Sequence, residues 1–258
     1  MIAVILVASD VHAGHPDADV PAFLGFLEAC ASSEPGTLVL LGDIFDFWRR
    51  RNGPLMIEQS ALIKRLIGLE GWRVQCVAGN HDYALLAISK RWAERGPFPI
   101  TKRLLLEEDG RTNLFVHGYE LEVYGAFEPL SVEGYEMLSE RLCAMGDIGG
   151  TVTGRLYDLY AGGLDLSGRG EAVRRPPVER ESIGAAEDLA NSPARHLLLG
   201  MEAGDRLVYG HTHRPSVSAD GLIANAGSWI GEGDESRTYL RIEDDRVDLR
   251  RFGRDPFP

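Results

Sequence analysis

Continuous apolar runs alternate with stripes of helical period along the first half of the chain. Ile2–Ala8 is apolar throughout, the pattern of a strand buried on both faces. It stops at Ser9-Asp10-Val11-His12, where strand alternation puts Asp10 and His12 on one side if extended geometry persists. Val20–Ser32 reads as a helix: Phe23, Phe26, Leu27 and Cys30 form its inward stripe, Asp19 stands at the N-cap and Pro21 in the first turn. Thr37–Leu41 is a second buried run, and Gly42 permits a sharp turn after it. Asp43 then sits at the strand's carboxyl end, with Asp46 three residues on. Pro54–Leu69 has the period of a second helix. Trp72–Ala78 reads as a third strand ending in Gly79-Asn80-His81-Asp82, and another helix follows to about Glu94. Ile100–Leu106 and Thr112–Val116 flank the turn Glu108-Asp109-Gly110, and the second of these strands runs into His117-Gly118.

The rhythm breaks from Glu120 to about Met201. Residues 120–203 are expected to form a mostly helical, cap-like insertion, with helices around Val132–Met145 and Ile183–Met201. Leu166–Arg180 reads as a mobile Gly/Arg/Pro section, and Tyr124, Phe127, Tyr135, Tyr157 and Tyr160 as a small aromatic core. Strand character resumes at Arg206–Tyr209, which ends in Gly210-His211-Thr212-His213. Pro215–Ala219, Leu222–Asn225, Thr238–Ile242 and Arg246–Phe252 then alternate like antiparallel strands, with Asp220-Gly221 as a hairpin turn. Strand–helix alternation followed by a meander predicts a layered α/β architecture with two sheets, a single domain over residues 1–258.

Charge narrows the partners. Acidic residues outnumber basic ones 39 to 27, a formal charge of -12, which argues against a nonspecific grip on duplex nucleic acid. The three cysteines, Cys30, Cys76 and Cys143, form no CxxC pair and suggest reduced thiols in a cytoplasmic setting. The apolar start lacks a basic n-region and a cleavage signature, so it reads as a strand and not a signal peptide. No run reaches the length of a transmembrane segment.

The candidate chemistry is positional. Asp10 and His12, Asp43, Asn80 and His81, His117, and His211 and His213 all follow expected strands, where ligand crevices of α/β sheets lie. These ends use five of the seven histidines and leave His15 and His196 unassigned. Singly, each has a plain reading: Asp10 caps a turn, His117 is a hydrogen-bonded core histidine, Asp46 caps the next segment. Together they supply the imidazole and carboxylate set that suits Mn, Fe or Zn. Two divalent ions about 3.5–4 Å apart form the clamp used in phosphate ester hydrolysis.

Asp10-Val11-His12, Gly42-Asp43-Ile44-Phe45-Asp46, Gly79-Asn80-His81-Asp82, His117-Gly118 and Gly210-His211-Thr212-His213 together resemble the calcineurin-like metallophosphoesterases. The resemblance implies a four-layer αββα sandwich of two mixed sheets, with a dinuclear centre at one edge. It implies that Asp10, His12 and His213 hold one metal, that Asn80, His117 and His211 hold the other, and that Asp43 bridges. Manganese is the expected ion, with iron or zinc as alternatives. On that pattern a metal-bridging hydroxide attacks phosphorus and His81 donates to the leaving group; Asp82, directly after it in sequence, is expected to fix the orientation of His81. Gly-Asp-Ile-Phe-Asp-Phe-Trp and Gly-His-Thr-His-Arg-Pro are similar to the branch containing UDP-2,3-diacylglucosamine pyrophosphatase, as is the helical insertion. The chain departs from that branch in having His81 where Arg is common, and Tyr119-Glu120 after His117-Gly118 where Asp is common.

The expected substrate is a small anionic phosphate ester, nucleotide- or lipid-linked. Arg49-Arg50-Arg51 reads as a phosphate clamp, because guanidinium pairs bidentately with phosphate, or equally as a solvated basic turn. Arg174-Arg175 reads as loop solvation. A noncatalytic metal-site scaffold that binds a protein partner is the alternative from another class.

Overall fold

The computed structural model describes residues 4–91, 96–108, 110–145, 177–231, 233 and 235–257. Two mixed sheets lie face to face. In the first, β1 (Ile5–Ala8), β2 (Thr37–Leu41), β3 (Arg73–Val77) and β4 (Ile100–Thr101) run parallel. The sheet order continues past β1 through two antiparallel strands that come last in the chain, β10 (Thr238–Glu243) and β11 (Arg246–Arg251). In the second sheet β5 (Arg103–Glu108), β6 (Arg111–Val116), β7 (Arg206–Tyr209), β9 (Ile223–Asn225) and β8 (Ser216–Val217) lie in that order. Its β6, β7 and β9 are parallel, while the two edge strands are antiparallel to their neighbours. The C-terminal strands therefore do not form one meander: β8–β9 and β10–β11 are hairpins on different sheets.

The apolar alternation explains the layering. Inner faces of both sheets meet in a dry seam of Ile5, Val7, Val39, Leu41, Phe115 and Val208. The outer face of the first sheet is covered by α1 (Val20–Ala31), α2 (Asn52–Glu58) and α3 (Ser60–Ile67). Asp19 caps α1 by accepting from the Ala22 amide at 3.0 Å, and Phe23, Phe26, Leu27 and Cys30 are its buried stripe, as the sequence predicts. The helix expected over Pro54–Leu69 is broken at Gln59. Leu55 is buried under the loop after β1, close to Gly14, while Arg65 pairs with Glu28 of α1 at 2.5 Å, so the two pieces follow different supports. Ile57 is 77% exposed. After β3 the chain forms α4 (Leu85–Arg91).

The strand expected over Ile100–Leu106 also divides. Its first two residues pair with β3, and the chain crosses at Lys102 to open the second sheet. The described parts of 120–203 are α5 (Tyr119–Ala126), α6 (Val132–Met145), α7 (Pro177–Asn191) and α8 (Ala194–Leu199). The break before α8 falls at Pro193, which takes its N-cap position. Leu121, Ala186, Ala190 and Leu199 of α5, α7 and α8 pack on Leu114, Val116, Leu207 and Tyr209 of the second sheet. Much of the expected cap is thus the fourth layer of an αββα sandwich. Phe127 and Tyr135 are buried and stacked at 6.0 Å, whereas Tyr124 is exposed. Tyr157, Tyr160, Arg174 and Arg175, and most of the section Leu166–Arg180, lie outside the described residues. No helix among the described residues is long and apolar enough to cross a membrane.

Candidate metal centre

Parallel strands end on a common side, and the chain bends sharply at each end. Asp10, His12, Asp43, His211 and His213 all have positive φ, between 48° and 66°. Non-glycine residues rarely adopt that region, and such strain concentrates where surrounding structure imposes it for function. Strand alternation does not persist as far as Asp10 and His12; tight turns bring them together instead. Backbone bonds continue past the strands and hold these turns: Asp10 N–H donates to Gly42 O at 3.1 Å, His12 N–H to Asp43 O at 2.7 Å, and Gly210 N–H to His117 O at 2.9 Å. Two glycines are required by close approach. A Cβ on Gly42 would fall 2.3 Å from His117 Nδ1, and one on Gly79 would fall 2.1 Å from Asp43 Oδ1.

Three sets of side chains bring their ligand atoms within 4.8 Å of one another: Asp10, His12 and His213; Asp43, His117 and His211; and His12, Asp43 and His81. Asp10 Oδ1 is 3.1 Å from His213 Nε2 and 3.6 Å from His12 Nε2. Asp43 Oδ2 lies 3.5 Å from His12 Nε2 and 3.2 Å from His117 Nε2, so it faces both of the first two sets. His117 donates through Nδ1 to Leu41 O at 2.8 Å, which leaves Nε2 as its lone-pair nitrogen. His211 has Nε2 2.7 Å from Glu122 Oε2.

These residues fit divalent cations. Asp10 Oδ1, both ring nitrogens of His12, Asn80 Oδ1 and His117 Nε2 are buried without hydrogen-bond partners. Unpaired buried polar atoms are costly, and a cluster of them rich in lone-pair donors is what a cation offsets. The mixed imidazole, carboxylate and amide set suits Mn, Fe or Zn. The electrostatics agree. Burial pushes Asp10 up, but His117 and His213 hold it well below the usual carboxylate range. Asp43 is likewise lowered against its burial, chiefly by His117 and His81. Burial opposes charge on His117, yet Asp43 and Asp10 raise it to about 10, a measure of how negative the centre is.

His81 stands beside this cluster. Its Nδ1 is 2.9 Å from Asp46 Oδ1, and its ring is stacked on Trp48 at 4.1 Å and edge-on to His12 at 4.7 Å. Burial lowers His81, but Asp43 and Asp46 outweigh it and raise its pKa. Asp46 is fully buried and also accepts from the Arg49 amide at 3.3 Å, so it both caps the turn and orients the ring. Arg49 Nε forms an ion pair with the second Asp46 oxygen at 2.7 Å. Arg50 turns to Glu58 at 2.6 Å, and Arg51 stands at the N-cap of α2 without a side-chain bond to its amides.

Asp82 does not orient His81 as expected. Its Oδ2 accepts from the Ile44 and Phe45 amides at 2.7 and 3.4 Å, and its Oδ1 from Gly79 N–H at 2.7 Å. It ties the turn after β2 to the turn after β3, and burial with the nearby Asp43 charge pushes it up to about 7. The orienting residue is Asp46, 35 positions away from His81 in sequence. Sequence reasoning also missed Trp48 and Glu122. Trp48 was legible only as the end of Gly-Asp-Ile-Phe-Asp-Phe-Trp, and nothing in the spacing marked Glu122. Of the two unassigned histidines, His15 lies near enough to Arg49 and Asp46 to feel their charges, though burial is the larger influence lowering it.

Residues 3–215 match the model of the calcineurin-like phosphoesterase family. The UDP-2,3-diacylglucosamine hydrolase of Photorhabdus laumondii is 27% identical over 96% of this chain and 98% of that protein. The protein of the same name from Salmonella arizonae is 28% identical over the same shares. Among solved structures, the phosphoesterase Yfce from E. coli is 19% identical, covers 97% of this chain and 93% of its own, and has a TM-score of 0.48. The family match and the hydrolase-named relatives favour a hydrolase over the noncatalytic scaffold. With the strand ends, the αββα layers and this match in agreement, the chain belongs to the calcineurin-like phosphoesterase family and is a hydrolase of phosphate esters.

Proposed function

We propose that this protein is a dinuclear metal-dependent hydrolase of a small, nucleotide- or lipid-linked phosphate ester. Asp10, His12 and His213 would hold one divalent ion, Asn80, His117 and His211 the other, and Asp43 would lie between them. The observation that carries this is the set of buried polar atoms without hydrogen-bond partners on Asp10, His12, Asn80 and His117 beside an Asp43 oxygen that faces two histidines. When bound, such ions supply a nucleophilic water at neutral pH and neutralise phosphate charge.

The chain's own residues do the rest. Asp46 and Trp48 hold the His81 ring, and the Asp46 carboxylate at Nδ1 favours the protonated imidazole that would donate to the departing oxygen. Arg49, 46% exposed at its side chain and anchored on Asp46, would meet a substrate phosphate. Arg50 and Arg51 fit that role less well, since Arg50 is engaged by Glu58 and Arg51 opens α2. The relatives' name supports a UDP-linked lipid diphosphate as the substrate to try first. The test is a metal-screened assay of p-nitrophenyl phosphate, bis-p-nitrophenyl phosphate and UDP-2,3-diacylglucosamine. The expected result is turnover that is lost on chelation and restored by Mn²⁺, with the diphosphate preferred. Turnover that survives exhaustive chelation overturns the reading.

A further inference from the structure

His211 differs from His117 in what sets its ring. His117 is oriented by a main-chain carbonyl of β2. His211 is oriented by a side chain from another layer: its Nε2 is 2.7 Å from Oε2 of Glu122, in the first turn of α5. The other oxygen, Oε1, accepts from Ser182 Oγ of α7 at 2.7 Å. Glu122 and Ser182 are each 2% exposed, so this relay is shielded from water. A carboxylate only accepts, so Nε2 must carry the ring proton and Nδ1 must be the lone-pair nitrogen. A histidine with the opposite tautomer would carry its proton on Nδ1 and have no lone pair there to offer a cation.

We propose that Glu122 is a positioning residue for His211. It locks the tautomer that turns Nδ1 to the second cation, and Ser182 ties α7 to that bond. The inference rests on the dinuclear reading above. The fourth layer thereby acts on the chemistry of the centre, because α5 and α7, from the segment between His117 and His211, orient a ligand that follows β7. In this role Glu122 acts through the imidazole of His211.

The experiment uses the chelator-stripped full chain titrated with Mn²⁺ by calorimetry, with ring-¹⁵N spectra of the metal-free protein to read the His211 tautomer. The wild type should take two ions and show the Nε2–H form. Glu122→Ala should weaken one binding step by about 10–100-fold and leave the other at its wild-type affinity, with a mixed tautomer. Glu122→Gln should recover most of the loss, because its amide oxygen still accepts from Nε2–H while Ser182 accepts from the amide. Ser182→Ala should weaken the same step to a smaller extent, and it keeps the test open if Glu122→Ala does not fold. Unchanged steps in Glu122→Ala, or a Gln variant as poor as the Ala variant, overturn the positioning role. Fewer than two ions in the wild type overturns the dinuclear reading, and the tautomer spectra then decide Glu122 alone.

Discussion

Replacing His81 by alanine separates proton donation from metal chemistry. The ring is held on three sides, by Asp46 at 2.9 Å, Trp48 at 4.1 Å and His12 at 4.7 Å, so it has little orientational freedom left to lose. A positioned general acid contributes about 10²–10⁴-fold. That is roughly 3–5 kcal/mol of barrier. The full effect requires a leaving group that needs a proton. p-Nitrophenolate departs unaided, whereas phenolate does not. His81→Ala should therefore lower kcat on phenyl phosphate by about 10²-fold or more, and lower it far less on p-nitrophenyl phosphate. Asp46→Asn keeps the ring but exchanges a charge-assisted bond for a neutral one, which should cost kcat on phenyl phosphate about tenfold. The assay is steady-state kinetics on both esters at saturating Mn²⁺, with metal content measured for each variant. Equal losses on the two esters, or none at all, would remove His81 from proton donation.

Other expectations test the frame around the centre. Gly79→Ala should strain the turn and lose metal, because its Cβ would lie 2.1 Å from Asp43 Oδ1 and 2.5 Å from the Asp43 main-chain nitrogen; metal analysis of the purified variant checks this. Arg49→Ala should raise KM for a UDP-linked diphosphate more than for p-nitrophenyl phosphate, and equal changes would argue against a phosphate contact. Arg206 is buried at 1% exposure and bonds Asn113 Oδ1, Gly221 O and the main chain and carboxylate of Asp245. Arg206→Met should therefore destabilise the fold by roughly 3 kcal/mol, read from the shift in urea unfolding. Asp245 is held below the usual carboxylate range, first by its hydrogen bond to Arg111. A depressed folded pKa stabilises above the unfolded value near about 3.9 and ceases to do so as pH falls through the folded value. The stability gap between wild type and Asp245→Asn should accordingly be present at neutral pH and close in acid.

Much of the candidate centre was legible because side chains suited to metal stand out by type and place. A carboxylate or imidazole directly after a buried apolar run has no packing role there, and Asp10, Asp43, His117 and His211 all follow such runs. α1 was legible to its cap, since Asp19 and the stripe from Phe23 to Cys30 depend only on neighbouring residues. The break at Gln59 and the crossing at Lys102 were not, because each is decided by which distant surface the next residues meet.

By itself, then, the sequence determined which residues end the strands, the apolar pattern that stacks two sheets, and the ligand chemistry on offer. Tertiary structure alone decided which side chains orient those groups. Asp46 and not Asp82 reaches His81, Glu122 reaches His211 across 89 positions, and the expected cap supplies a layer. The physical reason is range. Local periodicity records burial and turns within a few residues, whereas a hydrogen bond between layers depends on sheet registry and helix packing that no single segment encodes.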